Sequence, residues 1–287
     1  FYAADVKNKH KGVLGLHKLS KELKQLNITH VADLHNVLRS KILRNFLKFS
    51  TENIAVIDKG RSEKKALTRT ENKVFKQLKT SFERYADVFR RLDFSVDISN
   101  PTKSKKPKLS DTVLQLVGKK QNNWIGIAPF AAYDAKMYPL DLMQKVIDQL
   151  AEKNTVLLFG GGEKEVKILS KIEQKSNHVI SVAGKLNLKN ELNLIAHLDC
   201  MLAMDSGNAH FAAMLQTPTI TLWGATHPFA GFAPFNQPAE NCLLPDLEKY
   251  PNIPCSIYGN KICDGYEDVM RTISPEKVIK KVEEVLN

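Results

Sequence analysis

The length, composition and charge of this chain exclude several classes of protein. Its 287 residues suffice for two ordinary domains, and a hydrophobic content of 43% supports a substantial buried core. No apolar run approaches the roughly 18 residues that cross a bilayer, and motifs of nucleic-acid-binding proteins are lacking. The formal net charge of +11 favours anionic partners, among them nucleotides, phosphorylated glycans, nucleic acid and acidic membrane surfaces, and selects none of them.

The cysteine content favours a protein of the cytoplasm. The chain has four cysteines and no paired C-x-x-C spacing, so we expect reduced thiols. Cys255 and Cys263 are close enough in sequence to share a metal or a bridge, which is the alternative interpretation.

The first part of the chain alternates between predicted strands and helices. Residues 1–6, 28–34 and 54–57 are predicted strands with amphipathic helices between them, an order that indicates a parallel sheet covered by helices. Residues 60–93 predict a basic helical stretch, whose charges form a solvated face or meet an anionic partner. Residues 99–108 contain two prolines and four lysines, a composition typical of a linker.

The second part predicts a larger parallel sheet. The candidate strands are Trp124–Ala128, 155–159, 178–182, Cys200–Met204 and 219–223, and helical patterns lie between them. These runs are apolar on both faces, as strands packed between two layers of helices should be. We predict an α/β protein with a first domain at 1–110 and a second domain at 111–287. The last helix is expected to pack back on the first domain.

The loops that leave these strands carry the candidate binding residues, because ligands of open parallel sheets lie beyond the carboxyl ends of the strands. A lysine such as Lys136 can meet a phosphate as a point charge, although it can equally be an ordinary surface lysine. Glu163 follows three glycines and could accept from ribose hydroxyls or merely complement the helix dipole. Leu186, in the next exit loop, could flank a base.

The turn Asp205-Ser206-Gly207 is the strongest single feature. It stands between a strand and a helix, and unpaired N–H groups at a helix start favour an anion. His210 lies one turn further on and could face the same ligand. A capped turn with a surface histidine is the structural alternative. Taken together, the exit loops predict a site for a nucleotide, its diphosphate and a polar group.

The order of the motifs resembles glycosyltransferase family 9, the bacterial heptosyltransferases of lipopolysaccharide core assembly. The motifs are P-F-x5-K-x-Y-P (129–139), F-G-G-G-E-K-E (159–165), V-A-G-K-L (182–186), M-D-S-G-N-A-H-F-A-A (204–213) and T-P-T-I-T-L-W-G-A-T-H-P (217–228). The stretch A-D-L-H-N-V-L-R-S-K-I-L (32–43) is similar to a strand and helix of the family's first domain.

The resemblance implies a GT-B-like architecture, in which two Rossmann-like domains with parallel sheets face a cleft. It implies that residues 1–110 are the acceptor-side domain, incomplete at its start, and that residues 111–287 are the nucleotide-sugar-binding domain. It implies transfer of heptose from ADP-heptose, with inversion, onto a phosphorylated lipid A–core acceptor. It implies no cofactor beyond this donor and no essential metal. The protein would act in the cytoplasm, with a peripheral contact at the inner face of the bacterial inner membrane, and without nucleic acid.

The family's site residues carry over by position. Lys136 would contact the diphosphate, Glu163 the ribose and Leu186 the base, while Asp205, Ser206 and Gly207 would hold the phosphate and sugar beside His210. Phe130 and Gly161 would line the donor site, and Lys136 and Asp205 would be catalytic. The family's general base is an aspartate in a Gly-Asp loop near its start. Neither Asp5 nor Asp33 matches that loop, so we expect the base in a segment that precedes Phe1.

The sequence departs from the family at two places in this region. Asn208-Ala209 stands where Pro-Met is usual, and Phe130-Ala131-Ala132 stands where Gly-Ala-Ser types are favoured. Two alternatives therefore stay open: another nucleotide-sugar-dependent GT-B transferase, or a non-catalytic nucleotide-binding α/β protein. A dehydrogenase is disfavoured, since no G-x-G-x-x-G follows a visible strand.

Overall fold

A computed structural model describes residues 1–99, 101–102 and 105–287. The chain divides into a first unit, Phe1–Arg61 with Lys79–Thr102, and a second unit, Ser62–Leu78 with Lys103–Asn287. The segment Ser62–Leu78 thus belongs with the second unit, whereas the sequence assigned it to a continuous domain of residues 1–110. Part of the predicted linker 99–108, namely residues 100, 103 and 104, lies outside the described residues.

The first unit is a small parallel α/β arrangement. Its elements are α1 (Gly12–Lys24), β1 (His30–Asp33), α2 (Leu38–Leu47), β2 (Asn53–Val56) and α4 (Ser81–Arg90), and α3 (Arg61–Leu67) lies between β2 and α4 in the chain. Strands β1 and β2 are parallel, with His30 opposite Asn53 and Asp33 opposite Val56. Apolar side chains from β2 and α4 form the small core beside them, including Ala55 and Val88.

Two expectations for this region are wrong. Residues 1–6 form no strand, because the Asp5 carboxylate accepts from the backbone N–H of Asn8 and of Lys9 and so turns the chain. Residues 60–93 are not continuously helical, because residues 68–80 separate α3 from α4. The Thr68 hydroxyl bonds back to the Lys64 carbonyl at the end of α3, and the N–H of Leu78 donates to the carbonyl of Phe229.

The second unit is built on a six-stranded parallel sheet of order β5-β4-β3-β6-β7-β8. Its strands are β3 (Trp124–Ala128), β4 (Thr155–Leu158), β5 (Val179–Ser181), β6 (Cys200–Met204), β7 (Thr219–Leu222) and β8 (Cys242–Leu243). Its helices besides α3 are α5 (Asp111–Val117), α6 (Leu140–Leu150), α7 (Gly162–Glu173), α8 (Leu188–Ile195), α9 (Gly207–Met214) and α10 (Pro275–Leu286). The five predicted strands are confirmed, and β8 was missed.

Both faces of this sheet are covered, as the apolar runs predicted. Along β3, Ile125 and Ile127 enter one core cluster, whereas Trp124 and Ala128 enter the cluster on the opposite side. Helix α10 packs against α6 and β6, within the second unit. No helix of the described residues is long and apolar enough to cross a bilayer.

The cysteines differ from the expectation of reduced thiols. Cys255 and Cys263 form a disulfide, with their Cα atoms 5.4 Å apart, while Cys200 and Cys242 are free. The backbone N–H of Gly259 donates to the Ser256 hydroxyl inside the intervening loop, a local turn that helps to bring the two ends together. The reduced state predicted for this pair is therefore wrong, and the bridge that was the alternative is present.

Candidate functional site

The candidate site lies where the strand order of the large sheet reverses. Strands β3 and β6 are neighbours, but the chain continues from β3 to β4 on one side and from β6 to β7 on the other. Loops that leave such a pair of strands diverge, and the crevice between them is the usual ligand site of an open parallel sheet. Here the two loops are residues 129–139 after β3 and the turn Asp205-Ser206-Gly207 after β6.

An ion pair joins these two loops. The ammonium of Lys136, in a short 3-10 turn, lies 2.8 Å from Oδ2 of Asp205, and the side chains are only 12% and 8% exposed. The Thr226 hydroxyl, from the loop after β7, donates to the same oxygen at 3.0 Å. The loop after β7 is also fixed to the loop after β3, because the N–H of Ala225 donates to the carbonyl of Ala135 at 2.9 Å. The two residues predicted to be catalytic are thus brought together.

A cavity of about 290 Å³ opens beside this turn. It lies between the first turns of α7 and α9, whose N-terminal N–H groups favour an anionic ligand. The side-chain oxygen of Ser206 is buried there with no hydrogen-bond partner in the described part of the chain. The lining comprises Phe130, Ala131, Ala132, Phe159, Gly160, Gly161, Glu165, Ser206, Gly207, Asn208 and Phe211. Phe130, Gly161, Ser206 and Gly207 were among the predicted donor-site residues.

The carboxylate that lines the cavity is Glu165, whereas Glu163 is exposed on the first turn of α7. Glu165 accepts from the N–H of Gly161 at 2.7 Å and so caps the start of that helix. Leu186 is partly buried and packs against the core on one face of the sheet. The predicted contacts of Glu163 with the ribose and of Leu186 with the base stay predictions.

His210 lies in the first turn of α9, within electrostatic range of the ion pair. The residue as a whole is exposed, but part of its ring is shielded from water, and this desolvation lowers its pKa. The charge of Asp205 raises that pKa, and the charge of Lys136 lowers it. Its net pKa lies below the usual value for histidine. The geometry places His210 near Asp205, and its contact with a sugar stays a prediction.

Asp5 and Asp33, which were compared with the general base of the family, serve the local structure of the first unit. Asp33 is buried, pairs with Nε of Arg44 at 3.0 Å and accepts from the N–H of Asn36 at 2.7 Å. Asp5 caps the turn that precedes α1. In the described ranges, no group of three or more His, Cys, Asp or Glu residues could hold a metal ion.

Sequence reasoning missed several site residues, of which Thr226 and Glu165 form hydrogen bonds there. Each stood inside a motif that was recognised, T-H-P and G-G-G-E-K-E, but neither was singled out. A hydroxyl just after a parallel strand and a glutamate in the first turn of a helix are both available signals. A residue can therefore contribute to the site even where the sequence singled out another residue of the same motif, or none.

Comparison with known proteins places this chain in a family. The model of glycosyltransferase family 9 (heptosyltransferase) matches residues 16–257. Lipopolysaccharide heptosyltransferase 1 of Campylobacter coli is 25% identical over 99% of this chain and 83% of its own length. Lipooligosaccharide heptosyltransferase 2 of Campylobacter jejuni is 26% identical over 63% of this chain, and the match spans just over half of that relative, 56%.

A solved structure supports the fold. The Escherichia coli ADP-heptose LPS heptosyltransferase II superposes with a TM-score of 0.65 over 94% of this chain and 80% of its own, at 20% sequence identity. The fold of the chain is accordingly α/β with parallel sheets and GT-B-like. Because the family model covers most of the sequence, from α1 to the disulfide loop, this chain belongs to glycosyltransferase family 9, the heptosyltransferases.

Proposed function

We propose that this chain binds ADP-heptose and transfers its heptose, with inversion, onto the inner core of lipopolysaccharide. The single observation that carries the proposal is the Lys136–Asp205 pair beside a cavity that two helix N-termini face. The names of the relatives support the donor and the acceptor class: the Escherichia coli structure is described as an ADP-heptose LPS heptosyltransferase. The phosphorylated lipid A–core acceptor and a peripheral contact with the membrane belong to the same proposal.

The charge that develops during transfer explains the arrangement. When the bond between sugar and diphosphate breaks, negative charge builds on the leaving phosphate while the sugar becomes cationic. The ammonium of Lys136 and the free N–H groups at the start of α9 would stabilise that phosphate. Preorganised donors of this kind contribute about 3 kcal/mol each in comparable active sites. The unpartnered Ser206 hydroxyl would supply a further donor.

Asp205 would act by holding the lysine and the sugar. Lys136 and Thr226 both contact Oδ2, which leaves Oδ1 to accept from a sugar hydroxyl. The ion pair fixes the ammonium of Lys136, so little reorganisation of its side chain would be needed on binding. The acceptor hydroxyl must also lose a proton, and an aspartate of the family's Gly-Asp loop would accept it.

Replacement of Lys136 by alanine tests the donor site. We expect Lys136→Ala to weaken ADP binding between about 10- and 100-fold, because a hydrogen bond to a charged group contributes about 1.5–3 kcal/mol. Isothermal titration calorimetry with ADP measures this directly. Lys120→Ala is the matched control, since Lys120 forms an ion pair with Asp199 at the opposite edge of the sheet. Equal affinities of the Lys136 variant and the unmodified chain would contradict the proposal.

The identity of the donor is tested with the same assay. We expect ADP-heptose to bind, and UDP-sugars and NAD to bind far more weakly. Asn208, which lines the cavity where the family usually has proline, makes other ADP-sugars the informative comparison. Tight binding of NAD or of a UDP-sugar, with none of ADP, would favour the alternative functions.

A further inference from the structure

The disulfide loop Cys255–Cys263 contacts the side chain of Lys136 through a glycine. Gly259 has a φ of +77°, and a Cβ built on it would overlap Cγ and Cδ of Lys136. The backbone of the loop therefore packs directly on the aliphatic stem of the lysine. No side chain other than hydrogen fits between the two without displacing that stem.

Hydrogen bonds fix this loop relative to the backbone that carries Lys136. The N–H of Cys255 donates to the carbonyl of Ala225 at 2.9 Å, and the N–H of Ala225 donates to the carbonyl of Ala135, also at 2.9 Å. Gly259 itself donates to the hydroxyl of Ser256, a residue that is 7% exposed. The loop and the lysine are thus attached to the same short segment after β7.

We propose that Gly259 is a positioning residue for the donor site, through which the disulfide-closed loop holds the stem of Lys136 and keeps its ammonium on Asp205. A lysine side chain has four rotatable bonds and loses rotamer freedom when it is ordered. The contact with Gly259 restricts the rotamers of the stem. Less rotamer freedom would therefore be lost when the ammonium meets a phosphate. This inference rests on the proposed donor site, because ADP is its readout.

A double-mutant cycle tests the contact. Gly259→Ala introduces the Cβ, and Lys136→Ala removes the atoms with which it collides, so the two changes should not be additive. We expect Gly259→Ala to weaken ADP binding about tenfold in the otherwise unmodified chain, as loss of most of the lysine's interaction would. In the Lys136→Ala background the same substitution should leave ADP affinity unchanged.

The control is Gly265→Ala, which carries the same backbone cost without the contact. Gly265 also has a φ of +77°, but a Cβ built there meets nothing within 4 Å. We expect this variant to bind ADP like the chain from which it is made, in both backgrounds. Lys136→Arg in the Gly259→Ala chain should not restore affinity, since arginine keeps the same stem.

The outcomes are distinct. An equal loss of ADP affinity from Gly259→Ala in both backgrounds, or no loss in either, would overturn the inference. If Gly259→Ala alone fails to fold while the double variant folds, the collision with Lys136 is confirmed; if both fail, the inference is overturned. If the unmodified chain does not bind ADP, the proposed function fails instead. The double-mutant cycle is then measured with melting temperatures. A non-additive effect of the two substitutions on the melting temperature reports the contact alone.

Discussion

His227 is a buried histidine that the candidate site does not use. Its Nδ1 accepts from the N–H of Phe229 at 3.1 Å, and its Nε2 is buried without a hydrogen-bond partner in the part of the chain that the structure describes. The rings of Phe75 and Phe229 pack edge-on against it, at centroid distances of 4.9 and 4.5 Å. Burial, and secondarily the positive charge of Lys73, lower the pKa of His227 from 6.5 to about 4.

This shift predicts a loss of stability in acid. As the pH falls below 6.5 the unfolded chain takes up a proton on His227, while the folded chain stays neutral until about pH 4. The unfolded state then binds more protons, so the free energy of unfolding falls between pH 6.5 and 4, by up to about 3 kcal/mol. Urea unfolding at a series of pH values measures the slope.

The matched variants isolate this histidine. His227→Asn retains an acceptor near the position of Nδ1 and removes the titrating ring, so the pH dependence between 6.5 and 4 should flatten. His178→Asn changes an exposed histidine and should leave the slope as it is. An unchanged slope in His227→Asn would show that other groups cause the acid loss.

At the scale of the element, the disulfide loop stabilises the region after β8. Cys255→Ser combined with Cys263→Ser opens a loop whose ends are eight residues apart in sequence. The entropy of loop closure predicts a loss of about 2–3 kcal/mol in the free energy of unfolding. Denaturant unfolding measures this loss. A reductant should lower the free energy of unfolding of the unmodified chain to that of the variant, and should leave that of the variant unchanged. A further loss in the reduced variant would indicate that the reductant acts elsewhere.

The sequence predicts the elements of the large sheet well because their signal is local. Strand β3 and strand β6 are apolar on both faces and end at clear turns, so their positions follow from composition and punctuation. Strand β8 has two residues, too few for any periodicity, and it exists only because it pairs with β7. Residues 1–6 are apolar enough for a strand, yet the cap formed by Asp5 turns the backbone instead.

The sequence singled out some of the residues that the site brings together, but not the contacts between them. Lys136 and Asp205 are 69 positions apart, and only the order of the strands brings them within 2.8 Å. The role of Thr226 depends on a third strand, and that of Gly259 on a disulfide that sparse cysteines did not favour. Pairing across the sheet and bridging between loops are non-local, and a single sequence carries little information about either.

At the scale of the whole molecule, the chain leaves its first unit and returns to it. Residues 62–78 pack with the second unit, and α4 then resumes the first. Leu67 and Leu78 are buried with Ala230 in a small cluster of the second unit. Lys73 donates to the carbonyl of Asn252 at 2.7 Å. Part of the basic run, predicted to form a solvated face or to meet an anionic partner, is thus bound to this unit. The charge of a lysine alone does not distinguish a position in solvent from one that contacts the second unit.

This path of the chain predicts that a destabilising substitution within residues 62–78 lowers the stability of the second unit. Leu67 is fully buried, and Leu67→Ala should cost about 2–5 kcal/mol through lost contacts and the cavity left behind. Hydrogen exchange should then speed up at the 3-10 turn Pro228–Ala230, which packs on Leu67, and stay slow in α1 and β1. Leu47→Ala, at a buried position of α2 in the first unit, should give the opposite pattern. In the Leu67→Ala variant, faster exchange in β1 together with unchanged exchange at residues 228–230 would contradict the assignment of residues 62–78 to the second unit.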